Sequence, residues 1–266
     1  MELSRLDAAL AQRGLARSRT HAAALIADGL VTVNGHPVVK PAVKVGESAD
    51  IVVAGADHYV SRAAHKLIGA LDTFPVSVEG VTALDAGAST GGFTQVLLER
   101  GASRVISLDV GHGQLVEQLR ADERVAVVEG FNIRFGTPES VREASGVADA
   151  PSVVVGDLSF ISLTHVLPAL VSIAADGADF VLLVKPQFEV GRTGIREGVV
   201  HDPALRADAI MGVLWAAWDL GIGTAGAIPS PIVGTHGNQE FVVWMSAVHG
   251  GNPTEWLQQI TTMAGA

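Results

Sequence analysis

The chain has no cysteine, so no disulfide staples it and no thiolate can ligate a metal. Aromatic residues make up only 5% of it, with a single tyrosine. Long apolar runs are missing too: nothing approaches the roughly 18 residues that a membrane span requires. The opening stretch MELSRLDAAL carries acids and lacks the apolar core of a signal peptide, so the expectation is a cytoplasmic protein with no membrane association. Positive charge is the scarce sign, 18 Lys and Arg against 28 Asp and Glu for a net charge of -10, which argues against nucleic-acid binding by bulk charge. The scarcity is uneven. Residues 1–72 hold 8 basic and 7 acidic side chains, whereas residues 73–266 hold 10 and 21.

Within its 266 residues the chain has an ordinary globular composition, 48% hydrophobic and 17% charged, and length enough for a small domain plus a larger one. Residues 4–28 read as two short helices. Leu6, Leu10 and Leu15 mark the first stripe, with Gly14 at its end, and Ser18 is placed to cap the second before Gly29 stops it. LVTVNGHPVV then alternates around Asn34-Gly35, the signature of a type I′ hairpin, and ADIVV adds a strand. The expected boundaries are a small α+β domain over 1–55, a linker over 56–60, a larger domain over 61–250 and an amphipathic or frayed tail over 251–266.

The larger domain changes rhythm. VTALDAG, RVISLDV, RVAVVEG, PSVVVGDL and DFVLLVKP recur without strict alternation, as strands buried on both faces do, and helical segments separate most of them. That is an α/β fold with a mostly parallel sheet. The last two strand-like runs, in TAGAIPSPIVGTHGNQEFVVWMSAV, leave no room for a crossover helix, which predicts an antiparallel pair.

LDAGASTGGFT follows the first of these strands. Gly87, Gly91 and Gly92 permit tight turns and close approach of a ligand, and the helix opening at Phe93 offers free N–H groups. Asp85 precedes the turn, Asp109 ends the next strand where an acid can accept from ribose hydroxyls, and Glu129 and Asn132 follow the third. The spacing is not that of the dinucleotide fingerprint, which disfavours an NAD-linked oxidoreductase. A sulfonium nucleoside such as S-adenosylmethionine suits the acidic rim better than a pyrophosphate. The bland alternative is a glycine-rich turn with incidental acids.

Four ionisable residues converge by topology. Asp157 and Lys185 end strands, Glu240 opens a strand that starts at the same edge if it runs antiparallel, and Lys66 lies on the helix that leads into the sheet. In the stretch DHYVSRAAHKL, Ser61 is placed as that helix's cap, and Arg62 and Lys66 are four residues apart on one face. Methyl transfer to a hydroxyl needs an oriented acceptor oxygen and a group to take or share its proton, which two lysines steered by two acids can supply. Solvent-exposed strand-end charges are the alternative.

VSRAAHKL, LDAGASTGGFT, SLDVGHGQL, DLSFISL, VKPQFEVGR, GVVHDP and GNQEF, in that order over nearly the whole chain, resemble the TlyA (haemolysin A) family of ribosomal RNA methyltransferases. The resemblance implies a Rossmann-like class I methyltransferase domain of FtsJ type with a seven-stranded, mostly parallel sheet, behind an S4-type RNA-binding domain. It implies S-adenosylmethionine as cofactor, no metal, and 2′-O methylation of 16S or 23S ribosomal RNA, at cytidine, with ribosomal RNA or ribosomal subunits as partner and no obligate protein partner. The family's Lys-Asp-Lys-Glu tetrad falls on Lys66, Asp157, Lys185 and Glu240, with Lys185 the proton acceptor, Asp157 its steering acid, and Lys66 and Glu240 orienting the ribose. Its cofactor pocket falls on Asp85, Gly87, Ala88, Ser89, Gly91, Gly92, Phe93, Asp109, Asn132 and Asp157. The chain departs from the family in carrying Gly130-Phe131-Asn132 where Arg-Thr-Asn is common, and Asp57-His58-Tyr59-Val60 where some members have Arg-x-Trp-Val.

Arg5, Arg17, Arg19 and Lys40 in the first domain, and Arg62 after it, are the candidate RNA contacts; Arg13 and Lys44 extend the same basic set. From charge alone this is a solvated helical face, and the S4-like order of helix, helix and hairpin turns the reading toward structured RNA, which proteins read largely by shape. Two other readings compete: a non-catalytic RNA-binding assembly factor, disfavoured by the intact tetrad, and a membrane-active haemolysin, disfavoured by the lack of an apolar span.

Overall fold

The computed structural model describes residues 3–16, 18–27, 29–46, 48–53, 58–191, 194–234 and 237–265. The chain forms two compact units, Met1–His58 and Tyr59–Ala266.

In the first unit, β1 (Leu3–Arg5) leads into α1 (Leu6–Gln12) and α2 (Arg19–Ala27), followed by β2 (Val31–Val33), β3 (His36–Pro37), β4 (Lys44–Gly46) and β5 (Ile51–Val53). The hairpin turns at Asn34 and Gly35, both in the left-handed region at φ 49° and 77°, as a type I′ turn requires. Ser18 Oγ accepts from the His21 N–H at 3.1 Å, the expected cap. Leu6, Leu10, Ala22, Ile26 and Val31 are fully buried and form the unit's own core. The antiparallel pairing of β1 with β4 has no counterpart in the sequence reading, because three-residue strands are too short to show a period.

The second unit begins with α3 (Ala64–Thr73) and alternates β6 (Thr82–Ala86), α4 (Gly92–Glu99), β7 (Arg104–Leu108), α5 (Glu117–Arg120), β8 (Val125–Val128), α6 (Pro138–Ser145), β9 (Val153–Gly156), α7 (Leu167–Ile173), β10 (Asp179–Val184), α8 (Pro186–Glu189), α9 (Pro203–Asp219), β11 (Gly223–Pro229), β12 (Phe241–Ser246) and α10 (Leu257–Ala264). The sheet is seven-stranded in the order β11-β12-β10-β9-β6-β7-β8. Strands β6 to β10 pair in parallel, and β12 runs antiparallel between β10 and β11. Alternate residues of one strand feed two cores: Phe180, Leu182 and Val184 pack with α7 and α9 on one face, Val181 and Leu183 with α3 and α4 on the other. That double burial is why these strands read as unbroken apolar runs.

Two details correct or narrow the sequence reading. The helix carrying Lys66 starts at Ala64; Ser61 instead holds a turn, accepting from the Ala63 N–H at 3.2 Å, and this entry packs against Gly92, where a Cβ would come within 3.0 Å of Ser61. Of the two alternatives for the tail, residues 251–265 take the amphipathic one and not the frayed one: α10 packs on α9 with Ile260 and Ala264 fully buried, and Gly251 bridges Thr224.

Candidate functional site

The order of the sheet reverses between β6 and β9, and open α/β sheets bind ligands at the carboxyl edge beside such a switch. Glu240 arrives at this edge because β12 is antiparallel: Val184 pairs with Phe241, which sets Lys185 and Glu240 at neighbouring strand ends. Asp157 follows β9, and α3 brings Lys66 across from the other layer.

The four side chains form one chain of contacts. Lys66 Nζ donates to Glu240 Oε2 at 2.8 Å and to Asp157 Oδ2 at 3.0 Å. Lys185 Nζ lies 2.6 Å from Asp157 Oδ1 and donates to Ser159 Oγ at 2.7 Å. Lys66, Lys185 and Glu240 are buried, at 6%, 7% and 3% exposure, so they are not surface strand ends. Two cations and two anions balance, as a largely buried ionic cluster requires. Burial pushes the Asp157 carboxyl up, but Lys185 and Lys66 pull harder and hold it below the usual carboxylate range. Gly234 lies against the Glu240 carboxyl so closely that a Cβ there would collide with Oε1.

Two cavities meet at this edge. The smaller, about 240 Å³, is lined by Lys66, Lys185, Asp157, Glu240 and Ser159, with Ser61, Arg62, Gly87, Ala88, Ser89, Gly92, Phe93 and Gly234 around them. The larger, about 520 Å³, runs over Asp109, Val110, Phe131, Asn132, Leu158 and Ile161. Gly87, Ser89, Asp157 and Ser159 line both, so a group held in one is presented to the other.

The larger cavity has the size of a ligand site, typically about 300–1,000 Å³. Its chemistry fits a nucleoside: apolar walls for a base, and one acid for a ribose. Asp109 is held by two backbone donors, the Ser89 N–H to Oδ2 at 2.8 Å and the Gly111 N–H to Oδ1 at 2.7 Å. Ser89 takes φ 48° to reach it. Asn132 Oδ1 accepts from the Arg134 N–H at 3.1 Å, shaping the turn beside the cavity. The departure at Gly130 has a steric reason: its φ is +69°, and a Cβ would lie 2.6 Å from His112 Nε2.

Several expected residues sit elsewhere. Gly91 lines neither cavity; at φ +102° it caps α4 against Leu115 and Leu119, where a Cβ would collide. Glu129 is turned to Arg120 and the Gly113 N–H and lines neither cavity. Asp85 lies fully buried beneath the loop, with Thr94 Oγ1 donating to Oδ2 at 2.7 Å and Oδ1 without a partner among the described residues. Burial, and the acids Asp157 and Asp109 nearby, push its carboxyl up to about 7. A carboxyl raised on folding binds its proton in the folded state from about pH 4 to 7, where the unfolded chain has lost it. Stability therefore falls as pH rises through that window, by on the order of 4 kcal/mol. Asp85→Asn removes the titration, so its melting temperature is expected to gain on wild type between about pH 5 and 8. Parallel pH profiles for the two proteins would refute the assignment.

In the first unit, Asp7 gathers two arginines: Arg5 donates to both its oxygens at 3.0 and 2.9 Å, and Arg19 to Oδ2 at 3.4 Å. The hydrogen bonds from Arg5, reinforced by Arg19, hold Asp7 down to about 2. The two guanidiniums are thus fixed near the surface, their side chains 42% and 61% exposed. Arg13 bonds the carbonyls of Gly46 and Ala49 and so ties the end of α1 to the turn after β4. Lys40 and Arg62 are exposed. Arg17 and Asp57 lie outside the described residues.

Ser159 and Gly234 escaped the sequence reading; both lie in loops, where no periodicity marks an inward side chain. No helix of the described residues is long and apolar enough to cross a membrane.

Against known proteins, residues 59–247 match the FtsJ-like methyltransferase family and residues 4–51 the S4 domain. The 16S/23S rRNA (cytidine-2′-O)-methyltransferase TlyA of Mycobacterium tuberculosis is 51% identical over 245 residues, covering 91% of this chain and 89% of that protein. A protein named Hemolysin A, from Brachyspira hyodysenteriae, is 39% identical over 239 residues, covering 90% of this chain and 98% of its own. A solved structure from Streptococcus thermophilus, of a protein also named as a hemolysin, superimposes with a TM-score of 0.77 at 38% identity, covering 100% of this chain and 96% of that one.

Proposed function

Because this chain belongs to the FtsJ-like methyltransferase family, in the TlyA branch that carries an N-terminal S4 domain, we propose that it methylates the 2′-hydroxyl of cytidine in ribosomal RNA. The observation that carries the reading is the shared wall of the two cavities, with the Lys66-Asp157-Lys185-Glu240 cluster on the acceptor side.

S-adenosylmethionine would be held in the larger cavity and would supply an already activated methyl group. Asp109 would accept from its ribose hydroxyls, Asn132 and the apolar walls would enclose the base, and Gly87, Ala88 and Ser89 would let the backbone approach the remainder. In the smaller cavity Lys66 and Glu240 hold the acceptor ribose. Lys185, steered by Asp157 and Ser159, would first give its ammonium proton to solvent and then take the hydroxyl proton as the acceptor oxygen receives the methyl group. Arg62, on the rim of this cavity, contacts a phosphate. Phe160, 91% exposed next to Ser159 on the rim of the larger cavity, offers a ring face to an unstacked base. Arg5, Arg19, Arg17 and Lys40 supply phosphate contacts from the S4 unit, with Asp7 fixing the first two. Such work supports a cytoplasmic location.

The test is to map 2′-O-methyl groups in 16S and 23S ribosomal RNA from cells with and without the gene, and to offer isolated subunits to the purified protein. One or more cytidine methyls are expected to vanish without the gene and to be restored in vitro. Identical maps together with no transfer to either subunit would leave an RNA-binding factor without this chemistry.

A further inference from the structure

Two strings that the chemistry above uses only in part, DLSFISL and VKPQFEVGR, are joined in space at both ends. At the near end Lys185 holds Asp157 and Ser159. At the far end Glu189, the last residue of α8, accepts from Ser162 Oγ at 2.5 Å and from the Leu163 N–H at 2.9 Å. Ser162 in turn caps the short 3-10 turn Leu163–His165, accepting from the Thr164 N–H at 3.2 Å, and shares a 2.7 Å hydrogen bond with Thr164 Oγ1. Between the two anchors Phe160 takes φ 64°, a left-handed conformation that a bulky residue keeps only where its surroundings impose it. Its ring rests on Phe188 at 5.3 Å between centroids, and Phe188 belongs to the same short helix as Glu189.

Glu189 lines neither cavity, and its carboxyl bonds none of the four clustered side chains; it is half-buried and committed to two donors of this loop. Burial pushes its carboxyl up, with the two hydrogen bonds opposing, so it is held there against the preference of an acid for water. The loop it anchors gives the larger cavity its longest consecutive run of lining residues, 157–161, while Asp157 and Ser159 also line the smaller.

We propose that Glu189 is a positioning residue for methyl transfer: it pins the far end of the 157–163 loop, so that Ser159 stays on Lys185 and the loop keeps its wall of the cofactor cavity. The inference rests on the reading of Lys185 as the acceptor-side group. An ionised carboxyl accepts from a hydroxyl and an amide at once. A glutamine retains the amide bond through Oε1 and donates to Ser162 Oγ, whose hydrogen then turns to Thr164. An alanine retains neither, and Phe160 relaxes to an ordinary backbone conformation.

Glu189→Ala, Glu189→Gln and Ser162→Ala are compared with wild type by deuterium exchange over residues 157–163, by calorimetric affinity for S-adenosylhomocysteine, and by transfer rate at saturating substrates. Glu189→Ala is expected to exchange at least about tenfold faster in this loop, to bind S-adenosylhomocysteine about tenfold more weakly and to transfer about tenfold or more slowly, because small misplacements at a reacting centre have such effects. Glu189→Gln is expected within about threefold of wild type on all three, and Ser162→Ala between the two. Should the alanine variant not fold, the order wild type, Glu189→Gln, Ser162→Ala in exchange and affinity carries the test. Wild-type exchange and affinity in Glu189→Ala would overturn the proposal, as would a slow Glu189→Ala with an undisturbed loop. The exchange and affinity measurements need no RNA, so they decide the role of Glu189 even if wild type methylates no ribosomal RNA.

Discussion

A Lys185→Ala protein is expected to bind S-adenosylhomocysteine within about threefold of wild type and to transfer methyl groups about a thousandfold more slowly, the middle of the range for losing a positioned acid or base. The two halves of that expectation come from different walls of the site. Lys185 lines the smaller cavity only; without it the 157–163 loop keeps the Lys66–Asp157 bond and its Glu189 anchor, and Gly87 to Ser89 and Asp109 shape the rest of the larger cavity. Its Nζ is held by Asp157 at 2.6 Å and Ser159 at 2.7 Å, so the alanine removes an oriented group and not a wandering one. Lys185→Arg sharpens the test. A guanidinium keeps the positive charge beside Asp157 but stays protonated, so it preserves the ion pair and cannot take the hydroxyl proton. Single-turnover assays with saturating RNA are expected to find both variants slow. An arginine variant with half the wild-type rate would show that Lys185 serves by charge alone.

Much of this site is legible in the sequence alone, and for identifiable reasons. Asp157 and Lys185 follow apolar runs that no surface strand would tolerate, which places them at the carboxyl edge of a parallel sheet. Glu240 joined them through a negative clue, the lack of room for a crossover helix before β12, and the sheet is antiparallel there. The loop LDAGASTGGFT announced its turns, but not which of its residues face a ligand. Gly91 and Gly92 serve the packing of α4 against Leu119 and Ser61 as much as any cofactor, and Asp85 turned out fully buried because its strand position points it under the loop toward Thr94 and Ser107. Ser159, Gly234 and Glu189 were invisible, since their positions depend on how loops far apart in sequence fold onto one another. In the first unit Arg13 read as one basic residue among several, and the structure commits it to the carbonyls of Gly46 and Ala49. Charge along a chain does not reveal which cation is tied to backbone.

Asp157→Ala is expected to have the largest effect on stability. Its carboxyl stands between two ammonium groups whose side chains are 8% and 9% exposed, while its own is 15% exposed. Without it Lys185 retains a hydroxyl and the Phe188 ring face but no anion, and two buried cations face the single acid Glu240. Removing one partner from a buried ion pair costs about 3–5 kcal/mol. For a unit of this size that corresponds to a fall in Tm of roughly 6–20 °C. The loss is a consequence of uncompensated charge and not of lost packing, so Asp157→Ala/Lys185→Met is expected to recover most of the Tm while remaining inactive. A double variant as unstable as the single one would sink that account. The pH dependence carries the same signature. Lys185 and Lys66 outweigh burial and hold the folded-state carboxyl below its unfolded value, so its contribution is complete above about pH 4 and disappears as the pH falls below that toward the folded value. Between about pH 5 and 3 wild type is therefore expected to lose more Tm than the double variant, which has no carboxyl there to protonate. Equal losses would mean that the lysines do not stabilise Asp157 in its charged form.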